Sequence, residues 1–179
     1  IYQCDWSSDV CSSDLNVLEP IPLMDQHGAD AVRWYMLAAG SPWGARRVGH
    51  DALSDVVRKT LLTYWNTVSF FTLYAKASQY SVPTSLSDAP VSTATMDRWI
   101  LSELHQLIAN VEKSYEGFDS QEAGRLIAAF IDDLSNWYVR RSRRRFWDGD
   151  VDALNTLYVA LKTLTQLMAP MVPFITEHV

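Results

Sequence analysis

Cysteine is nearly absent from this 179-residue chain: its two, Cys4 and Cys11, both fall in the first fifteen positions. With no second pair they support neither a disulfide framework nor a zinc site, which normally shows closer pairs. Long apolar runs are lacking as well. No stretch approaches the roughly 18 uncharged residues of a membrane span, and the start of the chain lacks the basic-then-apolar order of a secretory signal. The chain therefore reads as soluble and cytoplasmic, with no membrane partner. Positive charge is in deficit, 15 Lys+Arg against 21 Asp+Glu for a formal net charge of −6, so a uniformly basic coat is excluded and any RNA contact must be concentrated in a patch. No Gly-rich phosphate loop or nucleophile elbow is present. His27, His50, His105 and His178 lack ligand spacing, so no metal site is expected. Asp148-Gly149-Asp150-Val151-Asp152 imitates half a calcium loop, but Ala153 and Val159 stand where that loop needs Gly and Glu; it reads as an interhelical turn with a helix cap. No catalytic constellation emerges.

What is present is apolar residue at 48%, too much for a disordered chain. Residues 1–15 stand apart, with a near-repeat (Ser7-Ser8-Asp9-Val10 and Ser12-Ser13-Asp14-Leu15) that resembles translated sequencing adaptor; they are set aside as an artefact. From Asp30 onward apolar residues recur at three- and four-residue steps, which predicts an all-α fold. Helices are expected over about Asp30 to Ala39, Asp51 to Gln79, Thr95 to Glu116, from an Asp119 cap (a capping box with Glu122) to Phe146, and over Asp152 to Met168. Residues 81–95, with Pro83, Pro90 and many Ser and Thr, read as a linker between a region at 16–80 and an antiparallel helical bundle at 96–179. The bundle ends without a stop signal, as a truncated one would.

The strongest local feature is Asn136-Trp137-Tyr138-Val139-Arg140-Arg141-Ser142-Arg143-Arg144-Arg145-Phe146-Trp147, with five arginines in six positions between aromatics. At about 100° per residue, Arg141 and Arg145 share a face with Leu134 and Tyr138, and Arg143 points away. Guanidinium forks suit phosphate, and a Trp or Tyr face suits an exposed base, so structured RNA fits. The alternative is cations near a helix C-terminus that pair with Asp132, Asp133 and Glu122 in a helical interaction module. The residues alone leave these two readings even.

Asn16-Val17-Leu18-Glu19-Pro20 followed by Gly28 to Tyr35 resembles the segment after the KMSKS loop of class I aminoacyl-tRNA synthetases. Val57 to Leu62 leading to Trp65 through Phe71, then Asp97-Arg98-Trp99-Ile100-Leu101-Ser102, then Asn136 to Trp147 are similar, in that order, to isoleucyl-tRNA synthetases; the valyl relatives are less arginine-rich after Trp-Tyr. The resemblance implies a stem-contact region at 16–80 and an anticodon-binding domain at 96–179. It implies a monomeric parent enzyme that uses ATP to activate isoleucine and transfers it to tRNA(Ile). Asp9 and Ser12 stand at the lysine positions of the KMSKS loop, so this stretch alone implies no ATP chemistry. The RNA contacts it implies are Arg140, Arg141, Arg143, Arg144 and Arg145, with Trp137 and Trp147 as stacking or packing partners. Arg58 and Lys59 are weaker candidates for the tRNA stem.

Overall fold

The computed structural model describes residues 19–40, 48–82 and 92–179. Cys4, Cys11, Asp9, Ser12 and most of the 81–95 stretch lie outside them. Among the described residues all regular structure is helical: α1 (Pro20–His27), α2 (Ala29–Ala38), α3 (His50–Val56), α4 (Leu62–Ala77), α5 (Thr95–Glu116), α6 (Ser120–Asp132), α7 (Arg140–Trp147), α8 (Val151–Met168) and α9 (Pro173–His178). The expected all-α class holds. Two π turns, Val57–Leu61 and Asp133–Val139, join α3 to α4 and α6 to α7, so the two long helices read from the sequence are each continuous but locally widened. Helices α1 and α9, short and opened by Pro at their first positions, were not legible as helices.

Helix ends follow local chemistry, with two departures. The Asp119 side chain accepts from the Glu122 N–H at 3.0 Å, but the Glu122 carboxylate turns to Arg125 at 2.5 and 2.7 Å, so only half of the expected capping box forms. At the end of α5 the left-handed residue is Phe118 (φ +56°), not Gly117. The Phe118 N–H donates to the Tyr115 carbonyl and the Asp119 N–H to that of Ser114, the paired bonds of a Schellman ending.

One core collects residues from both sides of the 81–95 stretch: Trp34, Leu61 and Tyr64 pack with Ile100, Leu104, Ile127, Leu134, Leu157 and Leu164. Helix α5 packs along α6 and against α8, and α4 lies on α8, where the Tyr64 hydroxyl meets Thr165 Oγ1 at 2.7 Å. Helix α2 crosses α6 so closely that a Cβ on Gly124 would come within 2.3 Å of Ala38 Cβ. It is also tied to the far end of the chain. Asp30 accepts the N–H groups of Phe174 and Ile175 at 3.4 and 2.7 Å, capping α9 from another element, and Arg33 donates to the carbonyls of Pro170 and Met171 at 2.9 and 3.1 Å. Helix α7 packs against α8 and the π turn before it, with Ser142 and Phe146 buried and Arg140, Arg141, Arg143 and Arg144 exposed.

Candidate nucleic-acid interface

Helix α7 is the sequence Arg140-Arg141-Ser142-Arg143-Arg144-Arg145-Phe146-Trp147, and its placement depends on the π turn before it. Phe130, Leu134, Tyr138, Ser142 and Phe146, spaced by four, are all buried. Four residues exceed one 3.6-residue turn, so such a run would creep about 40° per step around an uninterrupted α-helix. A π turn takes in an extra residue, and buried positions beyond it fall one residue later. Ser142 and Phe146 therefore occupy the core-facing positions that uniform periodicity assigns to Arg141 and Arg145. Arg141 stays exposed. The burial of Ser142 has a cost: its Oγ has no hydrogen-bond partner.

Arg145 is the arginine that turns inward. Its Nη1 and Nη2 donate to the two oxygens of Asp97 at 2.6 and 2.8 Å, and its Nε donates to Asp150 at 2.7 Å. Asp97 is fully buried in the first turn of α5 and also accepts the Tyr138 hydroxyl at 2.9 Å. Asp150 caps α8 through the N–H groups of Asp152 and Ala153. One guanidinium thus joins carboxylates at two helix N-termini, where the helix dipoles already favour negative charge. Burial pushes the Asp97 carboxyl up, but hydrogen bonds from Arg145, Ser92 and Tyr138 override it and hold the group below the usual carboxylate range. Asp150 is balanced the same way, raised by burial and lowered further by Arg145 and the cap N–H groups. The Tyr138 hydroxyl is pushed up by burial and by the charge of Asp97. Arg145, grouped on sequence with the other RNA candidates, is committed to the fold.

The remaining arginines face solvent. Among the described residues Arg140, Arg141 and Arg143 make no salt bridge, and Arg144, 94% exposed, meets Asp148 only at 3.8 Å. The acids expected to neutralise the cluster are otherwise engaged: Glu122 with Arg125, Asp132 with Asn136 at 2.6 Å, while Asp133 is raised above its usual range by burial and by Asp132. Arg141 lies over the Trp137 ring at 4.1 Å, so one face of that indole already carries a cation. Trp147 is 78% exposed at the end of the helix. On the distant π turn, Arg58 and Lys59 both pair with Asp55 at 2.8 Å, as solvated charges do. His27 and His50, far apart in sequence, share a hydrogen bond of 2.9 Å, yet no cluster of three metal-ligating side chains occurs among the described residues.

The sequence reading missed Asp97 and Asp150 as partners. The signal was present: Asp97 lies on the same helical stripe as Ile100 and Leu104, and a carboxylate on an apolar seam needs a cation.

Residues 97–179 match the family model described as the anticodon-binding domain of tRNA ligase. An isoleucine–tRNA ligase of Streptomyces avermitilis is 62% identical over 164 residues, covering 92% of this chain and 16% of that protein. That of Thermobifida fusca is 60% identical over 171 residues, with the same coverage, and that of Deinococcus radiodurans is 43% identical over 166 residues, covering 90% of this chain and 15% of that protein. The agnB2 LeuRS of Agrobacterium radiobacter K84, solved as a ternary complex with tRNA and LeuAMS, shares the fold with a TM-score of 0.68 at 20% identity, over 91% of this chain and 19% of that one. The chain thus spans about one-sixth of the length of the ligases it matches.

Proposed function

We propose, from the match of residues 97–179 to the anticodon-binding domain of tRNA ligases and the similarity of the chain to isoleucine–tRNA ligases, that the outer face of α7 grips tRNA(Ile). Arg140, Arg141, Arg143 and Arg144 supply the phosphate contacts. The observation that carries this reading is that, among the described residues, the first three have no ion-pair partner and the fourth is loosely paired, in a chain whose net charge is negative. Exposed guanidinium groups that no carboxylate neutralises are free to meet an outside anion, and a polyphosphate backbone meets several at once.

In the parent enzyme, a cytoplasmic monomer, this chain holds the tRNA while other parts activate isoleucine with ATP. Residues 16–80 steady the tRNA stem, and residues 96–179 take the anticodon end. We expect no isoleucine-dependent ATP–pyrophosphate exchange from these residues alone. The test is filter binding of tRNA(Ile) at low and physiological salt. Affinity of the wild-type chain should fall steeply with salt, and Arg143→Ala/Arg144→Ala should flatten the slope by about one unit for each phosphate left without its arginine. Binding that ignores salt, or none at all, sinks the proposal.

A further inference from the structure

Helix α5 runs about 30 Å from Asp97 to the corner where the chain turns into α6, and at that far end Phe118 is 92% exposed, more than any other large apolar side chain among the described residues. Its backbone is as unusual as its exposure. Phe118 holds the left-handed position of the helix ending at φ +56°, which bulky side chains rarely adopt, while Gly117, free to take it, sits one residue earlier at φ −82°. Local structure does not account for the ring. A hydrophobic residue just before an N-cap ordinarily packs on the fourth residue of the helix that follows; here that residue is Ala123, already fully buried, and a ring this exposed does not reach it. The apolar contact that accompanies a Schellman ending would join Asp119 and Ser114, and both are polar.

We propose that Phe118 is a docking knob: in the full-length ligase the α5–α6 corner seats against another part of the same polypeptide, in an apolar socket with a basic rim. The inference rests on the similarity of the chain to longer ligases and is independent of the RNA reading. Around the ring, Glu112, Glu116 and Asp119 are exposed and make no salt bridge among the described residues, against the single cation of Lys113. Such a collar repels a phosphate backbone and attracts lysine or arginine, so the corner fits protein and not RNA. That the partner lies in the same polypeptide follows from size. One aromatic ring is too small a contact to offset the freedom lost when two separate molecules associate, whereas a tether holds the second surface at high effective concentration. The chain corresponds to 16% of the Streptomyces avermitilis ligase, so most of that polypeptide lies outside it.

The test puts this chain in place of the matching segment of the Streptomyces avermitilis ligase, to which it is 62% identical, and follows amide hydrogen exchange of residues 115–120 in the chimera and in the isolated chain. Docking should slow exchange in the chimera by about tenfold or more with no tRNA present, and Phe118→Asn should undo that protection. Phe118→Tyr, which keeps the ring, should retain most of it. Asparagine accepts the left-handed backbone readily, so in the isolated chain Phe118→Asn should leave the urea midpoint unchanged or higher. Equal exchange in the chimera and the isolated chain overturns the proposal, as does protection that appears only when tRNA is added. A lower urea midpoint for Phe118→Asn in the isolated chain overturns it without the chimera, because the ring would then be an internal contact of the fold. The α7 arginine variants should leave exchange at this corner unchanged, so failure here and failure of the RNA reading are told apart.

Discussion

Arg144 is 94% exposed and reaches one carboxylate at 3.8 Å, whereas Arg145, the next residue, is 27% exposed and makes three hydrogen bonds of 2.6–2.8 Å to two carboxylates. The same contrast runs along the whole of α7, whose inner side carries Ser142, Arg145 and Phe146 and whose outer side carries Arg140, Arg141, Arg143, Arg144 and Trp147. A run of identical charges therefore does two unlike jobs. What separates them is where the acids lie: Asp97 and Asp150 sit at the starts of α5 and α8, on the inward side, and among the described residues the outer arginines pair with no carboxylate but that of Asp148. Arginine density marks the helix as unusual, but it takes the position of buried carboxylates to say which arginine is structural.

The sharpest way to break that distinction is Arg145→Ala. It leaves the Asp97 carboxylate buried without its cation, and removing one partner of a buried pair costs roughly 3–5 kcal/mol. Urea unfolding should show a loss of that size. A loss no larger than that of Arg144→Ala would mean the inner arginine is as dispensable as the outer ones.

Acid provides a second probe of the same triad. The carboxyls of Asp97 and Asp150 lie below their ordinary value in the folded chain, so the unfolded chain binds more protons in that range. Their contribution is full above the usual carboxylate pKa near 4 and drains away as pH falls through and below it. In Arg145→Ala the buried Asp97 loses what holds it down and is relieved by protonation instead. The stability gap between the two proteins should shrink between neutral pH and about pH 3.5, read from urea midpoints. A gap that stays constant would show that Asp97 is not held ionised by Arg145.

Much of this contrast was hidden at the level of the sequence, for physical reasons that differ by element. Helices α5 and α8 were legible to within a residue because each has a stripe of large apolar side chains, to which α8 adds a polar cap in Asp150. Uniform periodicity put Arg141 and Arg145 on the inward face together; Arg145 does turn inward, but the exposure of Arg141 and the burial of Ser142 and Phe146 were hidden, since the π turn at Asp133–Val139 shifts the register by a residue without changing hydropathy. The ties from Asp30 and Arg33 to the chain end span more than 130 positions and leave no local pattern. Of the candidate site, the outer arginines were readable as a patch; the partners that subtract Arg145 from it were not.

Ser142 gives a smaller and opposite effect on the inner side. Its hydroxyl is buried with no partner, so it was stripped of water for no return. Ser142→Ala removes that group at little cost in packing and should stabilise the chain by about 0.5–1 kcal/mol. Destabilisation instead would mean that the hydroxyl is satisfied in solution and that this side of α7 is wetter than its burial suggests.

The outer arginines should be nearly silent in stability. Arg140→Ala, Arg141→Ala and Arg143→Ala remove groups that are exposed and have no ion-pair partner among the described residues, so each should shift unfolding by no more than about 0.5 kcal/mol. Arg141→Ala should cost the most of the three, because it alone gives up an internal interaction, the guanidinium over Trp137 at 4.1 Å. Near-silence in folding matters only when set beside a change in binding: the same variants should each flatten the salt dependence of RNA affinity by about one unit for every phosphate that the removed guanidinium had neutralised. A variant that is quiet in both assays removes that arginine from the interface. One that loses stability like Arg145→Ala belongs to the inner side of the helix, and the division of α7 into two faces would have to be redrawn around it.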